Sequence, residues 1–326
     1  MNKVRIGDIA KKSGVSLTTV SRFFNKPELL SESTRKTIEA VIKESNYSQD
    51  KLARILVTGK SNLIGIMIPH FRFGFYTELL NQLIEQGKSK DYSFITHTSD
   101  SSKESELASI NELISYRIKG LIVLSHTLSS EDLEQLPVPI IAIERTGGNF
   151  MQINNDNMTG GRLAAELLIK NKCEAFIHIN NDYIEDWPAF KRIIGFEFAV
   201  KNFVHETIID QIYYNPYSAE ANASMNVLLQ NLLGKYPHKK IGIFCSNDDI
   251  ANLVLKHCIK SHINIPETIE LIGYDNSPIS NYAVYPITSV AQNIPLMAQI
   301  ALEAVDNYKA YESIVPAALI QKETTS

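Results

Sequence analysis

Four planar polar side chains in this sequence are of types suited to binding a hydroxyl-rich molecule. They are Glu144, Arg192, Asn247 and Asp275, and three of them follow short apolar segments. Carboxylate, amide and guanidinium groups can each bridge two neighbouring hydroxyls, whereas an anionic ligand would require more Lys or Arg. The set therefore favours a neutral sugar, although any one member could equally be a helix cap, an ion-pair partner or a turn former.

Aromatic side chains near these polar groups could pack on a sugar ring. His70 begins a run that includes Phe75 and Tyr76, and Trp187, the only tryptophan, lies five residues before Arg192. Aromatic rings stack on sugars because the C–H face of a sugar is apolar. Trp187 could equally be a partly buried residue of a cleft wall, and the sequence leaves both interpretations open.

The sequence lacks the spacing of common catalytic motifs, so we expect no enzyme, no cofactor and no metal site. Thr58-Gly59-Lys60-Ser61 resembles the end of a phosphate-binding loop, but Arg54 stands where that loop needs a glycine. Cys258 and His262 offer two metal ligands without a third. The alternative is a sugar-modifying enzyme or a transport binding protein. An export signal and a phosphate-cradling loop, which such proteins need, are not found.

Charge is distributed unevenly along the 326 residues. Residues 1–60 contain 12 Lys and Arg against 6 Asp and Glu, whereas the remaining 266 contain 20 against 30. A small basic segment joined to a larger acidic one indicates that only the first part meets a polyanion. Hydrophobic residues make up 44% of the chain, no long apolar run occurs, and the three cysteines are scattered. These features predict a globular protein of the cytoplasm.

The basic segment has the pattern of a helix-turn-helix. Ile6–Ser13 and Leu17–Phe24 are short amphipathic helices separated by Gly14-Val15-Ser16, and a third helix is expected from Glu32 to about Ser45. A second helix with small polar residues at its start can enter a major groove. Hydroxyls at Ser16, Thr19 and Ser21 suit phosphate oxygens, and Arg22 suits the edge of a guanine. Any three-helix domain could show this spacing, but the confined basic excess favours DNA.

From residue 62 onward, short apolar segments alternate with helical ones, which predicts parallel sheets with crossover helices. Two such series imply two α/β subdomains with a ligand cleft between them. The expected strands are Leu63–Ile68, Ser93–Thr96, Gly120–Leu124, Ile140–Ile143, Ala175–Ile179, Thr207–Tyr214, Lys240–Cys245 and Glu270–Gly273. The expected helices lie near 76–90, 103–117, 158–171, 187–203, 218–233 and 248–261.

The whole chain resembles the lac repressor/gal repressor (LacI/GalR) family. The residues that show this are Asp8-Ile9-Ala10, Gly14-Val15-Ser16, Thr19-Val20-Ser21-Arg22, Asn25, Asn46-Tyr47, Ala53-Arg54 and Leu56. The resemblance implies a small all-α helix-turn-helix head and an α/β core of two subdomains, similar to periplasmic binding proteins, with parallel sheets. It also implies a hinge helix that inserts Leu56 into the minor groove and kinks the DNA. Gln49 and Asp50 depart from the family pattern, which usually has a proline after Asn-Tyr-x.

The resemblance divides the chain into residues 1–49, the DNA-binding domain, 50–61, the hinge helix and linker, and 62–326, the core for effector binding and dimerisation. Three crossings near 160, 290 and 317 would assign 62–160 and 291–317 to one subdomain and 161–290 and 318–326 to the other. The expected DNA-binding residues are Ser16, Leu17, Thr18, Thr19, Ser21, Arg22, Asn25, Tyr47, Ala53 and Leu56. The expected effector-binding residues are His70, Phe75, Tyr76, Glu144, Trp187, Arg192, Asn247, Asp275 and Gln292, the last of them after the second crossing.

The resemblance further implies a sequence-specific transcriptional repressor of a carbohydrate operon. Its partners would be double-stranded operator DNA, a small sugar effector and a second copy of the chain. Ser125-His126, Glu144-Arg145 and Asn155-Asp156-Asn157 are most similar to regulators of sucrose-type disaccharide operons. A regulator that responds to a purine or to a phosphorylated carrier protein is the alternative within the family. No leucine heptads follow Lys322, so a C-terminal coiled coil is not expected.

Overall fold

The computed structural model describes residues 4–47, 61–98, 102–181 and 186–326. The chain divides into an N-terminal unit, Met1–Ser61, here called the head, and a larger unit, Asn62–Ser326, here called the body. The predicted hinge residues Ala53 and Leu56 lie outside the described residues, as do Gln49 and Asp50.

Three short helices with one shared core form the described part of the head. They are α1 (Ile6–Ser13), α2 (Leu17–Asn25) and α3 (Glu32–Glu44), with a 3₁₀ turn at Pro27–Leu29. Each helix contributes a fully buried aliphatic residue, namely Ile9, Val20 and Ile38. Single short helices are marginal in water, so this common core is what stabilises all three.

The turn between α1 and α2 has the conformation that its sequence favours. Gly14 adopts a φ of 68°, in the left-handed region that glycine enters without a Cβ penalty, and its N–H donates to the carbonyl of Ala10. The Ser16 hydroxyl then accepts a hydrogen bond of 3.1 Å from the backbone N–H of Thr19 and caps α2. The turn and cap set where α2 begins, and therefore which of its residues face solvent.

The body contains two six-stranded sheets. In chain order the strands are β1 (Leu63–Ile68), β2 (Ser93–Thr98), β3 (Gly120–Val123), β4 (Ile140–Ile143), β5 (Met151–Asn155), β6 (Ala175–Asn180), β7 (Val204–Ile209), β8 (Ile241–Cys245), β9 (Ile269–Asp275), β10 (Thr288–Ala291), β11 (Glu312–Val315) and β12 (Ala318–Ile320). The first sheet has the order β11-β5-β4-β3-β1-β2, and the second has the order β12-β10-β9-β8-β6-β7. The recorded pairings are parallel except for the antiparallel pair β10–β12.

Helices connect these strands and cover the sheets. They are α4 (Gly74–Gly87), α5 (Lys103–Ser115), α6 (Ser130–Glu134), α7 (Asn157–Lys170), α8 (Lys191–Val200), α9 (Ala219–Lys235), α10 (Asp248–Lys260), α11 (Pro278–Tyr282) and α12 (Ile294–Asp306). The central strands are buried along nearly their whole length because helices cover their faces, which accounts for their continuous apolar runs. None of the helices in the described ranges is long and apolar enough to cross a membrane.

The chain passes between the two sheets three times. It leaves the first sheet after β5, returns after β10, and moves to the second sheet again between β11 and β12. Strands β5, β10, β11 and β12 were not predicted. They are three to five residues long; β5, β10 and β11 carry polar side chains such as Gln152 and Asn154, and β12 has only three residues, so no long apolar run reveals them.

One strand prediction was wrong in position. The strand expected over Thr207–Tyr214 begins three residues earlier, at Val204, and ends at Ile209. Gln211–Tyr214 instead forms a 3₁₀ turn, because the Asp210 carboxylate accepts a hydrogen bond of 3.0 Å from the backbone N–H of Ile212. A side-chain cap of this kind competes with strand pairing. This 3₁₀ turn places Tyr214 at the cavity between the two sheets.

A titratable side chain lies inside the core of the second sheet. His178, in β6, is fully buried between the rings of Phe196 and Phe244, and its Nδ1 lies 3.0 Å from the carbonyl oxygen of Phe244. Burial lowers the pKa of His178 from its ordinary value to about 3. A charged imidazolium cannot be hydrated at this position, so the folded protein holds the neutral form.

This histidine should make stability depend on pH. Below the ordinary pKa of histidine, the unfolded chain binds a proton that the folded chain does not bind at this position. The contribution of His178 to the free energy of unfolding is therefore fully present above about pH 6.5 and is lost as the pH falls toward 3. Between about pH 7 and pH 5 this one group should remove about 2 kcal/mol of unfolding free energy. Replacing His178 with Gln keeps a donor for Phe244 and removes the titration. Urea unfolding at both pH values should show a smaller difference for His178→Gln than for the wild type, and equal differences would contradict the assignment.

Candidate functional site

A cavity of about 490 Å³ opens between the two sheets of the body. It is bounded by segments that follow β1, β3 and β4 of the first sheet and β6, β8, β9 and β10 of the second. Carboxyl ends of parallel strands meet at the same edge of a sheet, so the two sheets present their strand ends to one space. Its size is within the usual range for a small-molecule site.

Eight of the nine predicted effector-binding residues line this cavity. They are Phe75, Tyr76, Glu144, Trp187, Arg192, Asn247, Asp275 and Gln292. These residues are separated by up to 217 positions in the sequence, and the two sheets bring them together.

His70 is the exception, and its predicted role as a direct contact needs correction. Its ring packs edge-on against Phe73 at 4.8 Å, Tyr76 at 5.3 Å and Tyr214 at 5.5 Å between ring centroids. Those three aromatic residues line the cavity, whereas His70 lies behind them. Burial, together with the nearby charge of Arg72, lowers the pKa of His70 to about 4. His70 therefore supports the aromatic wall as a neutral ring.

Arg192 is the most constrained side chain of the cavity. It is 7% exposed, and its guanidinium lies over the ring of Tyr274, 3.6 Å from the ring centroid. Its Nε donates to Asn157 Oδ1 at 2.7 Å, and its Nη1 donates to the carbonyl oxygen of Ser246 at 2.7 Å. Nη2 lies 3.8 Å from Glu144 Oε2. The guanidinium is thereby held with part of its edge toward the cavity, as a bidentate hydroxyl donor requires.

Two glycines let the helix that carries Arg192 approach its neighbour. A Cβ on Gly161 of α7 would lie 2.1 Å from the carbonyl oxygen of Arg192. A Cβ on Gly195 of α8 would lie 2.1 Å from the carbonyl oxygen of Met158. Any larger residue would therefore separate α7 from α8, and the position of Arg192 depends on this close backbone contact.

Glu144 faces Arg192 from the first sheet. Its backbone adopts a φ of 54°, which turns the side chain back so that Oε1 accepts from the N–H of Asn155 at 2.6 Å and Oε2 accepts from Asn157 Nδ2 at 2.9 Å. Burial raises the pKa of Glu144, while Arg192 and these two donors oppose the rise. Glu144 and Arg192 balance each other's charge within the cavity.

Asp275 and Gln292 form a second polar pair. Gln292 Nε2 donates to Asp275 Oδ1 at 2.6 Å, and both residues are at least 94% buried, with exposures of 5% and 6%. Gln292 Oε1 has no hydrogen-bond partner within the described part of the chain. A buried carbonyl of this kind is stabilised when it accepts a hydrogen bond, and a ligand hydroxyl in the cavity could donate one. Burial also holds the pKa of Asp275 well above its usual range.

A buried carboxylate supports the backbone around Asp275. Asp275 and Asn276 have φ values of 101° and 50°, in the region that L residues rarely adopt. The Asp248 carboxylate accepts from Ser277 N at 2.7 Å and from Ser289 Oγ at 2.6 Å. Burial raises the pKa of Asp248 to about 7 despite these donors. These bonds hold the turn that directs Asp275 into the cavity.

Asn247 combines two of the roles that the sequence left open. Its Oδ1 accepts from the backbone N–H of Ile250 at 2.9 Å and caps α10. The residue also lines the cavity, where it is 7% exposed. The carbonyl oxygen thus stabilises the helix, which leaves the Nδ2 group as the part of the side chain suited to a ligand.

The other side of the cavity is aromatic. Besides Phe75 and Tyr76 it includes Phe73, Phe190 and Tyr214, which the sequence analysis did not select. The further lining residues that it missed are Pro69, Lys103, Leu124, Ser125, His126, Thr127, Ile143, Asn180, Asn181, Ala189 and Ser246. Ser125 and His126 follow β3 closely, so the rule of polar residues after strands could have found them. The same rule could not find Tyr214, because the predicted strand Thr207–Tyr214 placed this residue inside a strand and not after one.

The head exposes a polar surface along α2. Ser16, Leu17, Thr18 and Arg22 are exposed, and Leu17 is 53% exposed although it is apolar. Thr19 and Ser21 are half-buried. The helix N-terminus, its hydroxyls and the guanidinium therefore share a surface of the size and polarity that enters a major groove.

Two further predicted DNA contacts lie near the ends of the head helices. The ring of Tyr47 packs against Phe24 with ring centroids 6.1 Å apart and is half-buried, so the phenol completes the small core of the head. Asn25 is the last residue of α2.

Neither a metal centre nor a reactive thiol is found in the described residues. No group of three His, Cys, Asp or Glu residues there could hold a metal ion. Cys258 is fully buried, and burial raises its pKa to about 12. Cys173 and Cys245 are buried as well, and all three cysteines behave as core residues.

Comparison with known proteins identifies both units. Residues 5–50 match the model of the lacI family of bacterial regulatory proteins, and residues 165–325 match that of a periplasmic binding protein-like domain. The sucrose operon repressor of Streptococcus mutans serotype c is 31% identical over 327 residues, which cover 98% of this chain and 99% of that protein. The ribose operon repressor of Halalkalibacterium halodurans is 29% identical over 331 residues, with 98% and 96% covered.

The fold is also that of a solved structure. The crystal structure of the lac repressor dimer bound to operator and the anti-inducer ONPF superposes with a TM-score of 0.81, at 20% identity and with 99% of each chain covered. At this identity the likeness shows the fold, a helix-turn-helix head and a two-sheet α/β body, and confirms the predicted fold class. The relative that is 31% identical over nearly its whole length, with the match of residues 5–50, establishes that the chain belongs to the lacI family of bacterial regulatory proteins, which are transcriptional regulators and not enzymes.

Proposed function

We propose that this regulator represses a carbohydrate operon by binding a pseudo-palindromic operator as a homodimer, with its operator affinity set by a sugar in the body cavity. The chief support is the cavity itself, which is lined both by polar groups of Arg192, Asp275 and Gln292 and by several aromatic rings. Hydroxyls and an apolar ring face are the two features of a sugar that such a site recognises. The names of the two relatives, repressors of sucrose and ribose operons, support the same ligand class.

The charges around the cavity favour a neutral ligand. Arg192 faces Glu144 at 3.8 Å, and Lys103, the other cationic lining residue, pairs with Asp132 at 2.8 Å. Asp275 adds a buried carboxyl group. A phosphorylated sugar would need cations that are not already balanced, since a buried unpaired charge is costly. An uncharged mono- or disaccharide fits this balance.

The head supplies the sequence specificity in this proposal. Arg22 is an exposed donor that can pair with the O6 and N7 atoms of guanine, and Ser16, Thr19 and Ser21 are suited to phosphates. The family resemblance adds Leu17, Thr18, Asn25, Tyr47, Ala53 and Leu56 to the proposed DNA contacts. Leu56 would act as the wedge that kinks the central minor-groove step. The lac repressor of the comparison binds its operator as a dimer, which supports a homodimer here.

Effector control follows if the cavity closes differently with and without ligand. A ligand shifts an equilibrium only by its differential affinity for the two states. The strand crossings join the two sheets to each other, and residues 50–61 precede β1 of the first sheet in the sequence. We propose that closure changes the geometry of this linker and therefore the affinity of the paired heads for operator. A regulator of this kind acts on chromosomal DNA, so we place it in the cytoplasm.

One experiment separates this function from the alternatives. A gel shift would measure binding of the purified protein to fragmented genomic DNA. It would be run without an effector and then with sucrose, ribose, a purine or a phosphorylated carrier protein. Selective fragment binding that changes with a neutral sugar is the expected result. A response only to the purine, or only to the carrier protein, would show that this molecule and not a sugar is the effector. The absence of selective binding to any fragment would contradict the proposed DNA-binding function.

Arg22 should read one base pair in each half-site. Arg22→Ala should relax base preference at that position, since a good bidentate contact to guanine is worth about 1–3 kcal/mol of discrimination. The measurement is binding to an operator library substituted at each position. Arg35→Ala, which removes an exposed charge from α3, is the matched control and should leave base preference unchanged. Identical preference profiles for Arg22→Ala and wild type would exclude the role.

Arg192 and Asp275 should determine effector affinity without affecting DNA binding. Hydrogen bonds from a charged group are worth about 1.5–3 kcal/mol, so Arg192→Ala should weaken the effector about ten- to a hundredfold. Asp275→Asn, which replaces a carboxyl group by an amide at the same place, should also weaken it. The readout is a sugar titration of operator binding by fluorescence anisotropy, with thermal unfolding as a check on folding. Arg162→Ala, which breaks an exposed pair with Glu166 on α7, should respond like wild type. Folded variants with wild-type sugar response would remove both residues from the site.

A further inference from the structure

The indole of Trp187 is covered on one face by a residue from the opposite side of the cavity. Its ring stacks on His126 with centroids 4.2 Å apart and an angle of 24° between the ring planes. His126 follows β3 of the first sheet, whereas Trp187 precedes α8 beside the second sheet, and both line the cavity. Thr146 Oγ1 also donates to the carbonyl oxygen of Asp186 at 2.7 Å, next to the stack. The two sides of the cavity are therefore in contact at this edge.

The loop that carries His126 is held by a guanidinium that does not line the cavity. Arg145 is 6% exposed, and its Nη2 donates to the carbonyl oxygens of Ser125 and Leu128, both at 2.8 Å. These carbonyls flank His126 at the two ends of its loop. One planar group thus donates to two buried carbonyls and sets the distance between the two ends of the loop. The ammonium group of a lysine would not make both hydrogen bonds in the same geometry.

A buried carboxylate holds the same loop from the other side. Glu106, on α5, is 1% exposed and accepts a hydrogen bond from the Ser125 hydroxyl. Its charge also stabilises Arg145, whose pKa burial lowers and Glu106 raises. The two buried charges are tied together through Ser125. Removing either one would leave the other without its partner.

The imidazole of His126 is neutral in this setting. Burial, with a smaller effect of the Arg145 charge, lowers the pKa of His126 to about 3. The other Lys, Arg, Asp and Glu residues that line the cavity are Lys103, Glu144, Arg192 and Asp275. A neutral ring can stack on an indole without removing a charge from water, so the contact is favourable at ordinary pH.

We propose that Glu106 and Arg145 are positioning residues that hold His126 against Trp187, and that this stack fixes the face of the indole available to the effector. With one face covered by His126, the indole can offer only its other face to a sugar ring. Effector specificity then depends on two buried charges that do not line the cavity. The part that concerns the effector rests on the proposed function, whereas the positioning itself does not.

Trp187 provides a direct readout because it is the only tryptophan in the chain. Fluorescence of the full-length protein, with acrylamide as quencher, would be compared for wild type, His126→Ala, Arg145→Lys and Glu106→Gln. His126→Ala should shift the emission to longer wavelength and increase quenching, because the covered indole face becomes accessible. Arg145→Lys should do the same to a smaller extent, as should Glu106→Gln, which keeps an acceptor for Ser125 but removes the charge that stabilises Arg145. His205→Ala, at an exposed histidine of β7, should change nothing.

A double variant separates positioning from a general effect on folding. If Arg145 acts on Trp187 through His126, adding Arg145→Lys to His126→Ala should produce no further change in quenching. Additive changes would overturn the positioning role, as would wild-type emission and quenching in His126→Ala. Far-UV circular dichroism confirms that each variant is folded before its fluorescence is compared.

The effect on effector binding would be measured with sucrose and ribose, in the sugar titration of operator binding by fluorescence anisotropy. His126→Ala should weaken release by the active sugar about two- to tenfold, the effect expected from losing one aromatic pair. Unchanged sugar affinity in a variant with altered fluorescence would overturn the specificity claim alone. If neither sugar changes operator binding by the wild type, sucrose and ribose are excluded as effectors, and the fluorescence result still decides whether Glu106 and Arg145 position His126.

Discussion

The buried guanidinium of Arg192 is the interaction on which the arrangement of the body depends most. It joins Asn157 at the first crossing, the carbonyl of Ser246 at the end of β8, and the ring of Tyr274 in β9, and it faces Glu144 from the other sheet. A guanidinium taken out of water must recover its hydrogen bonds and a counter-charge, or the fold loses several kcal/mol. Meeting that requirement brings four elements from both sheets to one point. The ligand cavity is the space that remains beside it.

A second set of buried polar groups relates the C-terminal segment to the same cavity. Asp248 holds the turn around Asp275 through Ser277, and Lys322, beyond the third crossing, donates to Asn276 Oδ1 at 2.7 Å. A residue proposed to bind the effector is thus adjacent to a strand crossing that must bend if the sheets move. This arrangement gives a physical route by which ligand binding and crossing geometry can influence each other.

The aromatic side of the cavity differs in kind from its polar side. Polar groups are held by directional hydrogen bonds with little freedom, whereas His126 meets Trp187 and His70 meets Tyr214 through ring packing, with the hydrogen bond from Thr146 to Asp186 beside the first of these contacts. Ring contacts are worth about 0.5–1.5 kcal/mol each and can separate without leaving buried charges exposed. The polar contacts therefore restrict the lining of the cavity more strongly than the ring contacts do.

Much of this architecture was predictable from local patterns. The three head helices follow from the apolar spacing of residues such as Ile9 and Ile38, and the rule of polar residues after apolar strands selected Glu144, Asn247 and Asp275 for the cavity. Periodicity and strand ends are local properties, so a single sequence contains them. The positions of Tyr214, of His126 over Trp187, and of Glu106 beside Ser125 depend on contacts between residues far apart in the chain. Only the tertiary structure decides these, because a side chain's burial and partners are set by which elements pack together, and no local pattern records that choice.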